Sequence, residues 1–167
     1  MKNSSIGDKI LILGCPGSGK STFARALAAR TGLPVVHFDN LWWRADGTHI
    51  SREDFDRAMG ELLEGERWIL DGDYSRTYEV RIRACDTAIF LDYPEDVCMA
   101  GIIARVGQDR PDMPWTEGTL DPELVAQVQS YRRDNRPQVL SLLQSYPEKH
   151  SVIFTSRAQA AAWLSRL

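Results

Sequence analysis

Hydrophobic positions along this chain fall into short unbroken runs, separated by longer stretches where they recur every three or four residues. Lys9-Ile10-Leu11-Ile12-Leu13 is such a run, closed by Gly14. A run of this length predicts a strand buried on both faces. Pro34–Phe38, Trp68–Leu70, Thr87–Leu91 and Ser151–Thr155 predict four more. Between them the spacing predicts helices. From Lys20, the residues Phe23, Ala26, Leu27 and Arg30 share a face, Thr31-Gly32 stops the helix and Pro34 prevents its restart. Ser51 with Asp54 makes an N-cap pair for a helix carrying Phe55, Met59, Leu62 and Leu63, ended by Gly65. Pro94 stands near the start of a helix through Val97, Ile102 and Ile103. Leu124, Val125, Val128 and Tyr131 mark another. Pro137 either kinks it or opens a new helix holding Val139, Leu142 and Leu143. Ser156 and Gln159 form a capping box for the last helix, with Trp163, Leu164 and Leu167. The Gly/Pro-rich stretch Gly107–Pro122 has little periodicity.

Short buried strands alternating with helices predict an α/β fold: a five-stranded parallel sheet with helices on both faces, forming one domain over residues 1–167. Ligands on such sheets sit beyond the carboxyl ends of the strands. Asp39, Asp71, Asp92 and the glycine loop after Leu13 all fall at such ends.

The loop Gly14-Cys15-Pro16-Gly17-Ser18-Gly19-Lys20-Ser21 matches G-x-x-x-x-G-K-[ST] in full, after an apolar run and before a helical one. Its glycines let backbone N–H groups curl inward around phosphate, with the helix N-terminus behind them. Gly14 to Ser21, with Thr22 next on the helix, are the expected ATP-binding residues. The Lys20 ammonium reaches the β/γ oxygens, and the Ser21 hydroxyl is suited to Mg²⁺. A strand-end carboxylate completes the metal site. Asp71 and Asp92 both qualify by position, and Gly72 favours Asp71 because it allows close backbone approach. Asp92 then becomes a turn or helix-entry residue.

Phosphoryl transfer demands positioning and positive charge. Arg105, Arg110, Arg132, Arg133 and Arg136 flank the Gly/Pro-rich stretch, and Arg105 and Arg110 border it most closely. Asp39 is placed to orient or deprotonate an attacking hydroxyl, or to bind the sugar or base of a phosphate-bearing acceptor. Trp42 and Trp43 are adjacent, so one of them, taken as Trp43, is the candidate to stack on an acceptor. His37 reads as a core histidine with its polar atoms satisfied. Cys15 sits among inward amides beside Lys20, an environment expected to lower its thiol pKa and make it reactive.

Composition narrows the partners. Twenty Lys+Arg against 23 Asp+Glu leave a net charge of -3, which disfavours general nucleic-acid or membrane binding. Three cysteines without metal or disulfide spacing fit a reduced cytoplasmic protein, and no targeting or membrane-spanning segment is expected. Rival readings are a nucleotide-switched binding module and an ATPase without acceptor. A GTPase switch ranks lower, since no Asn-Lys-x-Asp segment occurs.

Trp68-Ile69-Leu70-Asp71-Gly72-Asp73-Tyr74-Ser75-Arg76-Thr77 resembles the Asp-Gly-x-Pro-Arg segment of adenylate kinase and other nucleoside monophosphate kinases. Together with the phosphate loop, His37-Phe38-Asp39 before Trp42-Trp43, and Arg110-Pro111-Asp112-Met113, the chain resembles bacterial adenylate-kinase-related proteins called DNA topology modulation proteins. The resemblance implies the kinase fold with strand order 2-3-1-4-5, ATP as donor, a small-molecule acceptor bound by residues 40–65, and a short lid over residues 105–120. It also implies adenine near Ser156-Arg157 and an acceptor-binding role for Arg76, which lies one residue further from Asp71 than in adenylate kinase.

Overall fold

A computed structural model describes residues 6–167. Its five strands are β1 (Lys9–Gly14), β2 (Val35–His37), β3 (Trp68–Asp71), β4 (Thr87–Leu91) and β5 (His150–Phe154). They form one parallel sheet in the order β2-β3-β1-β4-β5, as expected. β1 is central and fully buried from Ile10 to Leu13, as a strand covered on both faces must be. The helices are α1 (Lys20–Thr31), α2 (Phe38–Trp42), α3 (Arg52–Glu64), α4 (Tyr78–Ala84), α5 (Glu95–Ala104), α6 (Pro122–Asp134), α7 (Arg136–Ser145) and α8 (Arg157–Leu164).

Local chemistry sets several boundaries. Ser51 Oγ accepts from Asp54 N at the start of α3, and Ser156 Oγ accepts from Gln159 N at the start of α8. Pro137 opens α7, where its missing N–H costs nothing, so the second of its two expected roles is the real one.

Several expectations are corrected. β2 ends at His37, and Phe38 already belongs to α2, so Asp39 lies in the first turn of a short helix. Phe38 is buried against the Phe55 ring, which holds that turn down. The segment between β3 and β4 carries a 3-10 turn (Ser75–Thr77) and α4, neither visible in the hydrophobic pattern. β5 is an edge strand, with Ile153 exposed rather than buried. Ala24, not Ala26, packs inward with Phe23 and Leu27, and Ile103 of α5 is exposed.

Candidate active site

β1 delivers the chain to the phosphate loop, and α1 leaves it. Ser18 N donates to Cys15 O at 3.0 Å, closing the turn. Phe23 N is the first amide of α1 to find a helical carbonyl, Gly19 O at 2.9 Å, which leaves Lys20, Ser21 and Thr22 N–H for a ligand. This cradle suits phosphate, because unpaired amides and the helix dipole both favour an anion. The loop also rests on α5. Gly17 has φ 81°, and a Cβ there would stand 2.0 Å from Cys98 O, so no other residue fits. Arg157 donates to Gly17 O at 3.2 Å and lies over the Tyr93 ring, placing it at this end of the sheet.

Lys20 Nζ donates to Gly14 O at 2.8 Å and Cys15 O at 3.1 Å, so its ammonium lies over the loop's own carbonyls. Ser21 Oγ accepts from Arg25 Nη1 at 2.6 Å, a contact one helical turn away that the sequence reading missed. The thiol of Cys15 is buried. Its pKa is pushed up, first by donating to Cys98 and then by burial, while Lys20 pulls weakly the other way. The expected low-pKa thiol is therefore overturned: a hydrogen bond and burial outweigh one nearby ammonium.

β2 and β3 place His37 beside Asp71 in register. His37 Nδ1 and Asp71 Oδ2 are 2.5 Å apart and both groups are buried, so His37 is a satisfied interior histidine, as expected. Asp92, the alternative strand-end carboxylate, is instead gripped by Arg136 through Nε (2.8 Å) and Nη2 (2.9 Å), with Arg132 at 3.8 Å. It is an ion-pair anchor rather than a simple turn residue.

Tyr74 donates its hydroxyl to Asp39 Oδ1 at 2.6 Å. Burial raises the Asp39 carboxyl above the usual aspartate value, and the Tyr74 hydroxyl and the Lys20 charge offset this in part. Asp39 follows the end of β2 and the phosphate loop follows the end of β1, so the parallel sheet brings both to one end. Trp43 is half-buried, edge-on to Trp115 at 5.9 Å and bridged through its backbone to His49.

The candidate arginines all have carboxylate partners. Arg76 is forked onto Asp56 of α3 at 2.6 and 3.1 Å, beside a cleft that it lines with Trp42, Phe55 and Tyr74. Its guanidinium follows the nearest exposed carboxylate. Arg105 and Arg110 are brought together, but Glu117 and Asp112 hold them: Arg105 to Glu117 at 3.1 Å, Arg110 to Asp112 at 3.3 Å and to Glu117 at 3.7 Å. Burial and the neighbouring Arg110 lower the Arg105 pKa. The stretch bearing them touches α2, where Asn40 Nδ2 donates to Pro111 O at 2.7 Å. Arg133 pairs with Asp134 at the exposed end of α6.

Among the described residues, no cluster of three or more His, Cys, Asp or Glu side chains could hold a metal ion. No helix among them is long and apolar enough to cross a membrane.

No protein-family model matches the chain. A shikimate kinase of Paramagnetospirillum magneticum is 32% identical over 117 residues, a match covering 60% of this chain and 59% of that enzyme's length. Among solved structures, shikimate kinase from Acinetobacter baumannii in complex with shikimate has a TM-score of 0.62 at 17% identity, covering 95% of this chain and 89% of that one. Shikimate kinase from Bacteroides thetaiotaomicron has a TM-score of 0.56 at 19% identity, covering 94% of both. A gluconokinase from Sinorhizobium meliloti 1021 has a TM-score of 0.53 at 20% identity, covering 96% and 93%. With its five-stranded sheet in the order β2-β3-β1-β4-β5 and the glycine loop between β1 and α1, the chain has the P-loop kinase fold of shikimate kinase.

Proposed function

We propose that this protein is an ATP-dependent kinase that phosphorylates a hydroxyl of a small acceptor. The observation that carries the reading is the hydrogen-bonded Tyr74–Asp39 pair, at the same end of the sheet as the phosphate loop. A donor cradle and a carboxylate able to take a hydroxyl proton thus share one end of the sheet. The acceptor hydroxyl gives its proton to Asp39 while its oxygen forms a bond to the γ-phosphorus. The bond from that phosphorus to the β–γ bridging oxygen breaks, and ADP leaves. Lys20 and the free amides of α1 hold the phosphates throughout. Trp43 and the rest of residues 40–65 hold the acceptor. Residues 105–120 act as the lid, and Arg105 and Arg110 exchange their carboxylate partners for phosphate oxygens.

Ser21 in the first turn of α1 and Asp71 at the end of β3 are two oxygen donors, a set that suits a Mg²⁺ arriving with the nucleotide, whose phosphates supply further ligands. The ion would neutralise phosphate charge, and His37 would orient Asp71.

A hydroxyl acceptor is favoured over a phosphate-bearing one because the Asp39 carboxylate, held by Tyr74, offers a proton acceptor rather than a positive charge. Shikimate and gluconate, named for the similar enzymes, are hydroxyl-bearing acids and head the candidates. The narrower likeness to DNA topology modulation proteins contributes motifs only. A net charge of -3 gives a DNA-binding role no support. The test is a screen of polyols, sugar acids and nucleotides for acceptor-dependent ADP release, with Lys20→Ala as the blank. An acceptor that raises ADP release at least ~100-fold above the blank supports the reading. A rate independent of every acceptor overturns it in favour of an ATPase or a switched binding module.

A further inference from the structure

The guanidinium of Arg81 is fully buried and is bonded to no carboxylate among the described residues. α4 carries charge at Glu79, Arg81 and Arg83. Glu79 and Arg83 are four apart, face solvent and pair at 2.9 Å. Arg81 falls on the opposite side and points inward. Its Nη1 donates to Gly72 O at 2.8 Å, and its Nη2 to Asp73 O at 2.5 Å and Tyr74 O at 3.3 Å. Its carbon lies 4.9 Å from the Phe38 ring and 5.5 Å from the Tyr78 ring.

An unpaired buried cation is a poor way to fill space. A methionine of similar length would pack there without the desolvation cost. Burial drags the Arg81 pKa down to about 10. What the charge does is specific. It holds three successive carbonyls of the loop after β3 and, through Phe38, the first turn of α2. Those two segments carry Tyr74 and Asp39. Tyr74 is the one non-glycine residue among those described with positive φ, 34°, a conformation that persists only where surroundings impose it. In that conformation its hydroxyl reaches Asp39.

We infer that Arg81 is a positioning residue, which fixes the loop 72–74 against Phe38 so that Tyr74 holds the Asp39 carboxylate toward the acceptor. The inference rests on the proposed role of Asp39, and its test does not require a known acceptor. Arg81→Met, Arg81→Lys and Tyr74→Phe are compared with the unaltered protein by carbon NMR of labelled aspartate carboxyls, with Asp39 assigned through Asp39→Asn. A fluorescent ATP analogue reports the donor site.

Arg81→Met is expected to shift the Asp39 signal, and raise its titration midpoint, as Tyr74→Phe does. Combining the two should add nothing further, because both act through one hydroxyl. Affinity for the ATP analogue should stay within about twofold, since the phosphate loop is untouched. Arg81→Lys should recover part of the shift. Where an acceptor is in hand, Arg81→Met should lower kcat about 100-fold, the scale set by a misplaced reacting group. An Asp39 signal unchanged in Arg81→Met, or effects of the two variants that simply sum, overturns the inference. If Arg81→Met does not fold, Arg81→Lys with Tyr74→Phe gives the same comparison. A protein that phosphorylates nothing yet shows the coupled shift refutes the kinase reading and leaves the clamp standing.

Discussion

Arg136 grips Asp92 with two parallel hydrogen bonds of 2.8 and 2.9 Å, joining the end of β4 to the start of α7 across 44 residues of sequence. Asp92 is buried and Arg136 is one-third exposed, so the pair is partly shielded from water. Arg136→Ala leaves the carboxylate with only the distant Arg132. The expected loss is about 2 kcal/mol, a drop in Tm of roughly 4–8 °C by calorimetry. Affinity for ATP should fall less than stability does.

Asp39 gives a pH prediction with a definite sign. Burial raises its folded pKa, so the folded state holds its proton more tightly than the unfolded state. Stability therefore declines as pH rises from the ordinary aspartate value, about 3.9, through the raised folded one, and stays reduced above it. Asp39→Asn should melt higher than the unaltered protein at pH 7, with the difference fading below about pH 4. The same substitution should abolish phosphoryl transfer. Equal melting temperatures at pH 7 would contradict the raised pKa.

Arg76 separates two acceptor classes. Its bond to Asp56 joins two side chains that are each nearly half exposed. Arg76→Ala should cost less than about 1 kcal/mol in stability, and should leave the acceptor KM unchanged for a hydroxyl compound. A steep rise in KM would instead bring Arg76 to the acceptor and favour a phosphate-bearing one.

Cys15 should be inert despite its place in the loop. It is buried, and its thiol pKa is raised by the bond to Cys98 and by burial. Ellman's reagent at pH 8 should react slowly with the native protein, and Cys15→Ser should not change the early phase. A fast phase lost in Cys15→Ser would restore the activated thiol.

The sheet and the loop were legible because both are local signals: continuous apolar runs, and glycines at fixed spacing before a helix. Strand order came from the resemblance, since runs alone say nothing of neighbours. α4 was not legible, because charges at Glu79, Arg81 and Arg83 mask its apolar side, and one of those charges is the part that turns inward. The Asp56 partner of Arg76 was hidden for a related reason. A motif fixes where an arginine sits on the chain, while the nearest carboxylate, Asp56, fixes where it points. Arg105 and Arg110 were found, but their partners Glu117 and Asp112 were not, because the Gly/Pro-rich stretch has no periodicity to say which side chains converge. Tyr74 was quoted as part of a motif. Its hydroxyl matters only through a left-handed backbone that no residue type announces.

Gly17 and Gly101 meet backbone to backbone: a Cβ on Gly101 would lie 2.0 Å from Gly17 O. No side chain stands between them to rotate and absorb a displacement. The phosphate cradle therefore rests directly on α5, and α5 ends where Arg105 begins. A side chain at either glycine would have to part the phosphate cradle from α5, so this one contact carries the fit of the loop on the helix that leads to Arg105.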